Sequence, residues 1–338
     1  MLNTVVKLTS PRNLETFFVE EKYDAETVIV RPTYMSICAA DQRYYQGNRK
    51  KEILDKKLPL ALIHECVGEI IYDPKNEYKK GLKVVMIPNS PTEENEYIKE
   101  NYLRSSKFRS SSLDGFMQNA VFMNRSRIIP IGNIKEDIAS QLELISVSVN
   151  AVESFLEKKP KRIGKVGVWG CGSVGYIQAL VLKKYFPNSE IIVIGTRREK
   201  LNYFSFADKT MLNTEIDESF YVDHAFECVG GPKAEEAINQ IIDVISPQGT
   251  IALLGVTEEP VDINTRMVLE KGITLIGNSR SSYEDFAKSV NLLQDEEMQE
   301  YVYNIISEFI EINSVNDINK AFDNDHINEF KTVMKWNL

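Results

Sequence analysis

The chain has 338 residues, 43% of them apolar and 26% charged, the balance of a globular protein long enough for two domains with sizeable cores. Its net charge of −9 sets it against nucleic acid and anionic membrane surfaces. No run approaches the roughly 18 apolar residues of a membrane span, and the start MLNTVVKLTSPRN lacks the pattern of a secretory signal, so a cytoplasmic protein is expected. The four cysteines, Cys38, Cys66, Cys171 and Cys228, are scattered without a CxxC. That excludes a four-thiolate zinc site and, in a cytosolic chain, argues against disulfides.

The first 140 residues read as mostly β. TVIVRPTYMSI is rich in β-branched residues and alternates, and GEIIYD, KVVMIPN and MQNAVFM read as further short strands between turn residues. The pattern changes near Glu143, where ELISVSVNAVESFLEKK has helical apolar spacing up to Pro160 in the basic stretch KKPKR. Strand and helix then alternate: KVGVWG, SVGYIQALVLKKYF, EIIVIG, REKLNYFSF, HAFECVG, PKAEEAINQIIDVI, and the strands TIALLGV and ITLIGNS. Such alternation predicts a doubly wound parallel sheet, and so an α/β protein. From Ser281 the chain turns helical and polar and is expected to return to the first domain. The predicted boundaries are 1–145, 146–280 and 281–338.

The strand KVGVW runs directly into Gly170-Cys171-Gly172-Ser173-Val174-Gly175, and a helix follows. This is GxGxxG in its required setting. The first glycine permits the tight turn, the second lets the backbone approach a pyrophosphate, and the third packs helix on strand. The helix N-terminus then holds the anion. At the end of the next strand, an NAD-selective site usually carries a carboxylate for the ribose 2′-hydroxyl. Here the chain reads Gly195-Thr196-Arg197-Arg198, with Lys200 close by. Cations at a helix N-terminus oppose the helix dipole, a cost that a 2′-phosphate would offset, so NADPH is expected over NADH.

Of three histidines, His64 lies in His64-Glu65-Cys66-Val67-Gly68, with Cys38 earlier in MSICAAD and Glu143 later in LELISVSVNAV. Zinc accepts mixed Cys, His and carboxylate ligands, and a catalytic site keeps one position open. In these residues the sequence resembles the medium-chain dehydrogenase/reductase family, and within it the zinc-dependent polyol dehydrogenases. Cys38-Ala39-Ala40-Asp41 is similar to the family's C-G-x-D, and His64-Glu65-x-x-Gly68 to its G-H-E-x-x-G. Gly81-x-x-Val84, Asp114-Gly115-Phe116 and Asp223-His224-Ala225-Phe226-Glu227 match further motifs in order. The chain departs from the pattern at Ile63, in place of a glycine, and at Ala40, in place of a proton-relaying hydroxyl. A water, a substrate hydroxyl, Tyr44 or Tyr45 remain open as the proton route.

The resemblance implies a GroES-like, mostly β catalytic domain formed from both chain ends around a central Rossmann domain. It implies one catalytic zinc held by Cys38, His64 and Glu143, with Glu65 either a transient ligand or a group that tunes the metal. Structural zinc is not expected, since no cysteine lies between Asn89 and Asp114. Within the family, YMSICAADQRYYQG, ENYLRSSKFRSS, HAFECVGG and RMVLEKGITLIGNSRS are similar to the ribulose-5-phosphate reductases of CDP-ribitol and teichoic-acid synthesis. That implies NADPH-dependent reduction of a sugar phosphate. Arg104, Lys107 and Arg109 are candidates for its phosphate, as is Arg280; Arg43 is a weaker one. ITLIGNS resembles the edge strand through which family members pair, implying a homodimer, and a ribitol-phosphate cytidylyltransferase is the implied partner. The rival readings are an NAD-dependent general polyol (hexitol) dehydrogenase and a catalytically silent NADPH-binding subunit.

Overall fold

The computed structural model describes residues 1–338, which divide into two compact units, Met1–Glu143 with Ser281–Leu338, and Leu144–Arg280. None of the helices is long and apolar enough to cross a membrane.

The first unit is built on a mixed seven-stranded sheet. Its order is Ile306–Ile312, Lys331–Trp336, Thr27–Ser36, Glu65–Tyr72, Lys83–Met86 and Ile128–Pro130, with Val121–Asn124 also paired to Thr27–Ser36. The first pair is parallel and the others antiparallel. A hairpin, Leu2–Ser10 with Asn13–Glu20, forms a separate two-stranded sheet, and Asn89–Ser90 pairs with Lys107–Phe108. Val28, Val30, Met35, Ile70, Phe116, Phe322 and Met334 fill the core of this unit. Each fully buried large apolar side chain contributes about 1.5–3 kcal/mol.

The tail after Ser281 was expected to be helical. It does supply helices at Tyr283–Leu293, Glu296–Tyr303 and Val315–Ile327, but also the two strands at one edge of this sheet. In Ile306–Ile312 partly buried and exposed residues alternate, the period of a half-covered strand.

The second unit carries a six-stranded parallel sheet ordered Lys209–Leu212, Glu190–Gly195, Lys165–Trp169, His224–Glu227, Thr250–Leu253 and Thr274–Gly277. The order reverses between the strands beginning at Lys165 and His224, the doubly wound arrangement in which ligands bind at the C-terminal ends of the strands. The central strands are buried on both faces, as a sheet covered by helices requires. The predicted helix REKLNYFSF is a single turn, Arg198–Leu201. Thr274–Gly277 lies at the sheet edge, with Leu275 exposed.

Candidate active site

Strand register builds a cluster of side chains that could hold a metal ion. Thr27–Ser36 runs antiparallel to Glu65–Tyr72, with Met35 opposite Cys66 and Ser36 opposite Glu65. The end of the first strand therefore delivers Cys38 beside His64, at the start of the second. Lys331–Trp336 flanks the same strand on its other side, with Val333 opposite Ser36. Continuing that register brings Lys331 next to Cys38. The ligand atoms of Cys38, His64 and Glu65 lie within 4.8 Å of one another, a spacing one metal ion can bridge.

The electrostatics of this cluster are those of a site built around a cation. Asp41, on the helix Ala39–Tyr45, places Oδ2 3.2 Å from His64 Nδ1. Burial alone would depress the His64 imidazole, but the Asp41 carboxylate and the Cys38 sulfur hold it well above the usual range. Burial likewise opposes the Asp41 anion, yet His64, Ser110 and the Ile63 amide keep its carboxyl below the usual value. Glu143 opens the helix Leu142–Glu157 and is buried; desolvation and the nearby Glu65 carboxylate push it up to about 7, against the pull of His64. Glu65 is fully buried, with its two oxygens 2.8 and 2.7 Å from Lys331 Nζ, which also donates to the Ile37 carbonyl. Lys331 carried no local sequence signal, because it lies 266 residues from its partner.

The segment 104–112 shares this neighbourhood. The Phe108 ring is 5.5 Å from that of His64, and the Ser110 hydroxyl donates to Asp41. Arg104 and Lys107 are exposed. Arg109, expected to meet a phosphate, instead turns inward. Its guanidinium donates to the carbonyls of Asp114 and Phe122 and lies over the Phe116 ring, so it anchors the loop. Tyr45, one candidate for the proton route, donates its hydroxyl to Asn319 and stacks on Phe322.

The nucleotide loop lies in the second unit. A Cβ on Gly175 would stand 1.9 Å from the Gly170 carbonyl oxygen, whereas one on Gly172 would meet nothing within 4 Å. The third glycine of the motif thus closes the helix onto the turn, while the second leaves space open. A cleft of about 390 Å³ begins there, lined by Gly170, Gly172, Gly195, Thr196, Asn213 and Lys233 among others. Glu227, at the end of its strand, accepts from the amides of Val229, Gly230 and Gly255 and so braces two loops, the first of which lines the cleft with Val229. Val174 is half-buried on the helix that begins at Ser173.

The dipole argument for Arg197 and Arg198 needs correcting, because the helix they were expected to open is only four residues long. Arg198 pairs instead with Glu215, whose other oxygen accepts from the Leu212 amide. Arg280 is half-buried in the same unit at φ 59°, and its carbonyl accepts from Asn150. His224 serves the fold of this unit: its Nδ1 accepts from the Thr250 amide, and its ring packs on Phe155.

A cluster of cysteine, histidine and carboxylate in one unit, and a dinucleotide cleft in the other, define a zinc-binding dehydrogenase of the alcohol dehydrogenase type. Residues 24–133 match the model of the alcohol dehydrogenase GroES-like domain, and residues 191–295 that of the zinc-binding dehydrogenase. The chain is 48% identical over 339 residues to ribulose-5-phosphate reductase 1 of Staphylococcus aureus, covering 99% of each chain. It is 47% identical to the ribulose-5-phosphate reductase of Bacillus spizizenii over the full length of both. Its structure matches that of S. aureus TarJ in complex with NADPH with a TM-score of 0.89, at 43% identity over both whole chains. The chain belongs to the ribulose-5-phosphate reductase family of the medium-chain dehydrogenases/reductases.

Proposed function

We propose that this protein reduces D-ribulose 5-phosphate to D-ribitol 5-phosphate with NADPH, providing the ribitol phosphate from which CDP-ribitol and teichoic-acid polymers are made. The observation that carries this reading is the Cys38–His64–Glu65 cluster, kept in a chain similar over its whole length to ribulose-5-phosphate reductases. Cys38, His64 and Glu143 are the ligands in this reading. Glu65, held by Lys331, tunes the site as a neighbouring charge. Bound zinc supplies the Lewis acid for the C2 carbonyl, and NADPH the hydride.

The residues of the chain do the remaining work. Asp41 fixes the His64 ring through Nδ1 and leaves Nε2 for the metal. Gly170, Gly172, Ser173, Val174 and Gly175 cradle the pyrophosphate at the helix N-terminus. Thr196, Arg197 and Arg198 receive the adenosine 2′-phosphate. Arg104 and Lys107 read the substrate phosphate, and this remote binding energy aligns C2 for reduction. The reading is of a cytoplasmic homodimer, paired through the Thr274–Gly277 edge strand, whose product passes to a cytidylyltransferase.

The test follows NADPH oxidation with D-ribulose 5-phosphate, D-ribulose and D-fructose, using wild type and Arg104→Ala. The proposal expects the phosphate ester to react far faster, and Arg104→Ala to narrow the gap by weakening that substrate. Equal rates with the three ketoses would replace it with a general polyol dehydrogenase. No turnover with any of them would favour a catalytically silent subunit.

A further inference from the structure

Two residues outside the metal-ligating set converge on Asp41, and both carry strained backbone. The Asp41 side chain is only 1% exposed. Its Oδ1 accepts from the Ile63 amide at 3.0 Å and from the Ser110 hydroxyl at 2.5 Å, while Oδ2 faces His64 Nδ1 at 3.2 Å. Ile63 has φ 72° and Ser110 has φ 60°, in the left-handed region that suits glycine. Such strain at non-glycine residues persists only where the surroundings over-determine it. Here both strained residues donate to the same buried oxygen.

The loop around Ser110 is built to hold it there. Lys107–Phe108 is tied to Asn89–Ser90 by strand pairing. The Ser112 hydroxyl accepts from the Phe108 amide at 2.7 Å. The Arg109 guanidinium is fixed on two backbone carbonyls. Three consecutive residues thus have separate tasks: Phe108 sets its ring against His64, Arg109 anchors the loop, and Ser110 reaches Asp41.

We infer that Ser110 is a positioning residue for the metal centre, acting through Asp41 to fix the plane and tautomer of the His64 ring. This rests on the reading of Cys38 and His64 as ligands. With its Oδ1 held by two donors, the Asp41 carboxylate is kept in place, so Oδ2 stays beside Nδ1, favours the proton there and leaves the Nε2 lone pair for a cation. Without the hydroxyl the carboxylate rotates about its remaining partner and the imidazole tilts with it. Loss of such an outer partner typically lowers metal affinity about 10- to 100-fold.

The experiment measures zinc affinity by competition with a chromogenic chelator, the visible spectrum of the cobalt-substituted enzyme, and thermal unfolding. The variants are Ser110→Ala, Ser110→Gly and Ser110→Thr, with Cys38→Ser as control. Ser110→Gly is the decisive one, because it removes the hydroxyl while relieving the backbone. It should unfold no earlier than wild type, yet bind zinc about 10- to 100-fold more weakly and shift the cobalt bands. Ser110→Ala should lose affinity likewise, and Ser110→Thr, which keeps the hydroxyl, should retain most of it. Wild-type affinity and cobalt spectrum in Ser110→Gly would overturn the inference, as would an equal loss in a folded Ser110→Thr. Cys38→Ser separates the two claims: if it keeps its zinc, the ligand reading itself fails.

Discussion

Replacing Lys331 with Met removes its ion pair with Glu65 and two hydrogen bonds, one to Glu65 Oε1 and one to the Ile37 carbonyl, and keeps nearly the same volume. The side chains of Lys331 and Glu65 are 7% and 0% exposed, so solvent does not rescue the abandoned carboxylate. Glu143 and the Cys38 sulfur lie nearby and add no positive charge. Removing one partner of a buried ion pair costs about 3–5 kcal/mol, a large share of the ~5–15 kcal/mol that holds a typical domain together. Denaturant unfolding of the metal-free protein should show that loss for Lys331→Met. Adding Glu65→Gln should restore more than half of it, giving a coupling of about 2 kcal/mol or more in the double-mutant cycle. Zinc should shrink the cost, since a bound cation offsets the freed charge. A loss below about 1 kcal/mol, or strict additivity of the two substitutions, would refute the argument that Glu65 is held as a buried anion by Lys331.

Three further outcomes are expected. Gly175→Ala puts a methyl where only 1.9 Å separates it from the Gly170 carbonyl oxygen; fluorescence titration should show NADPH binding lost, and near-normal binding would mean that the turn yields. Arg197→Ala with Arg198→Ala should raise the KM for NADPH about tenfold or more, at about 1.4 kcal/mol per tenfold, while that for NADH stays nearly constant; equal effects on both cofactors would assign the arginines to the fold. Asp73, gripped by Arg125 and by the amides of Tyr78 and Lys75, has its carboxyl held well below the usual range. A depressed carboxyl stabilises the fold above its unfolded pKa of about 3.9 and loses that contribution as pH falls toward the folded value. Asp73→Asn should therefore be less stable at pH 7 and show a flatter acid limb below about pH 4, and an unchanged limb would contradict this.

What could be read from the chain follows from how local each signal is. Five of the six parallel strands were legible because they are short, apolar and punctuated by helices, and because GxGxxG fixes one strand–turn–helix unit; Lys209–Leu212, only partly buried, was not. The tail was misread at Ile306–Ile312 and Lys331–Trp336: the first is a half-polar alternating strand that pairs only with the second, and the second joins the sheet only through Thr27–Ser36, nearly 300 residues away. The Arg198–Leu201 helix was overextended because apolar spacing continues through Phe204 and Phe206, which pack against Tyr176 in a loop. At the site, Cys38, His64, Glu65 and Glu143 were named from residue type and motif. Lys331 and Ser110 were not, because an ion pair across 266 residues and a hydroxyl at 69 residues' remove leave no pattern in the sequence. Arg109 shows the converse. In a list of cations it looks like a phosphate ligand, and only its two backbone acceptors reveal an anchor.

The central claim is that the hydride of NADPH is delivered to C2 of a phosphorylated ketose. NADPH bearing deuterium at the transferred position of the nicotinamide tests it most directly, with D-ribulose 5-phosphate as substrate and the product read by NMR and mass spectrometry. The account predicts ribitol 5-phosphate with one deuterium, located at C2, and no such product from zinc-depleted enzyme. Product without deuterium, deuterium at another carbon, or undiminished labelling after zinc is stripped from the protein would contradict it.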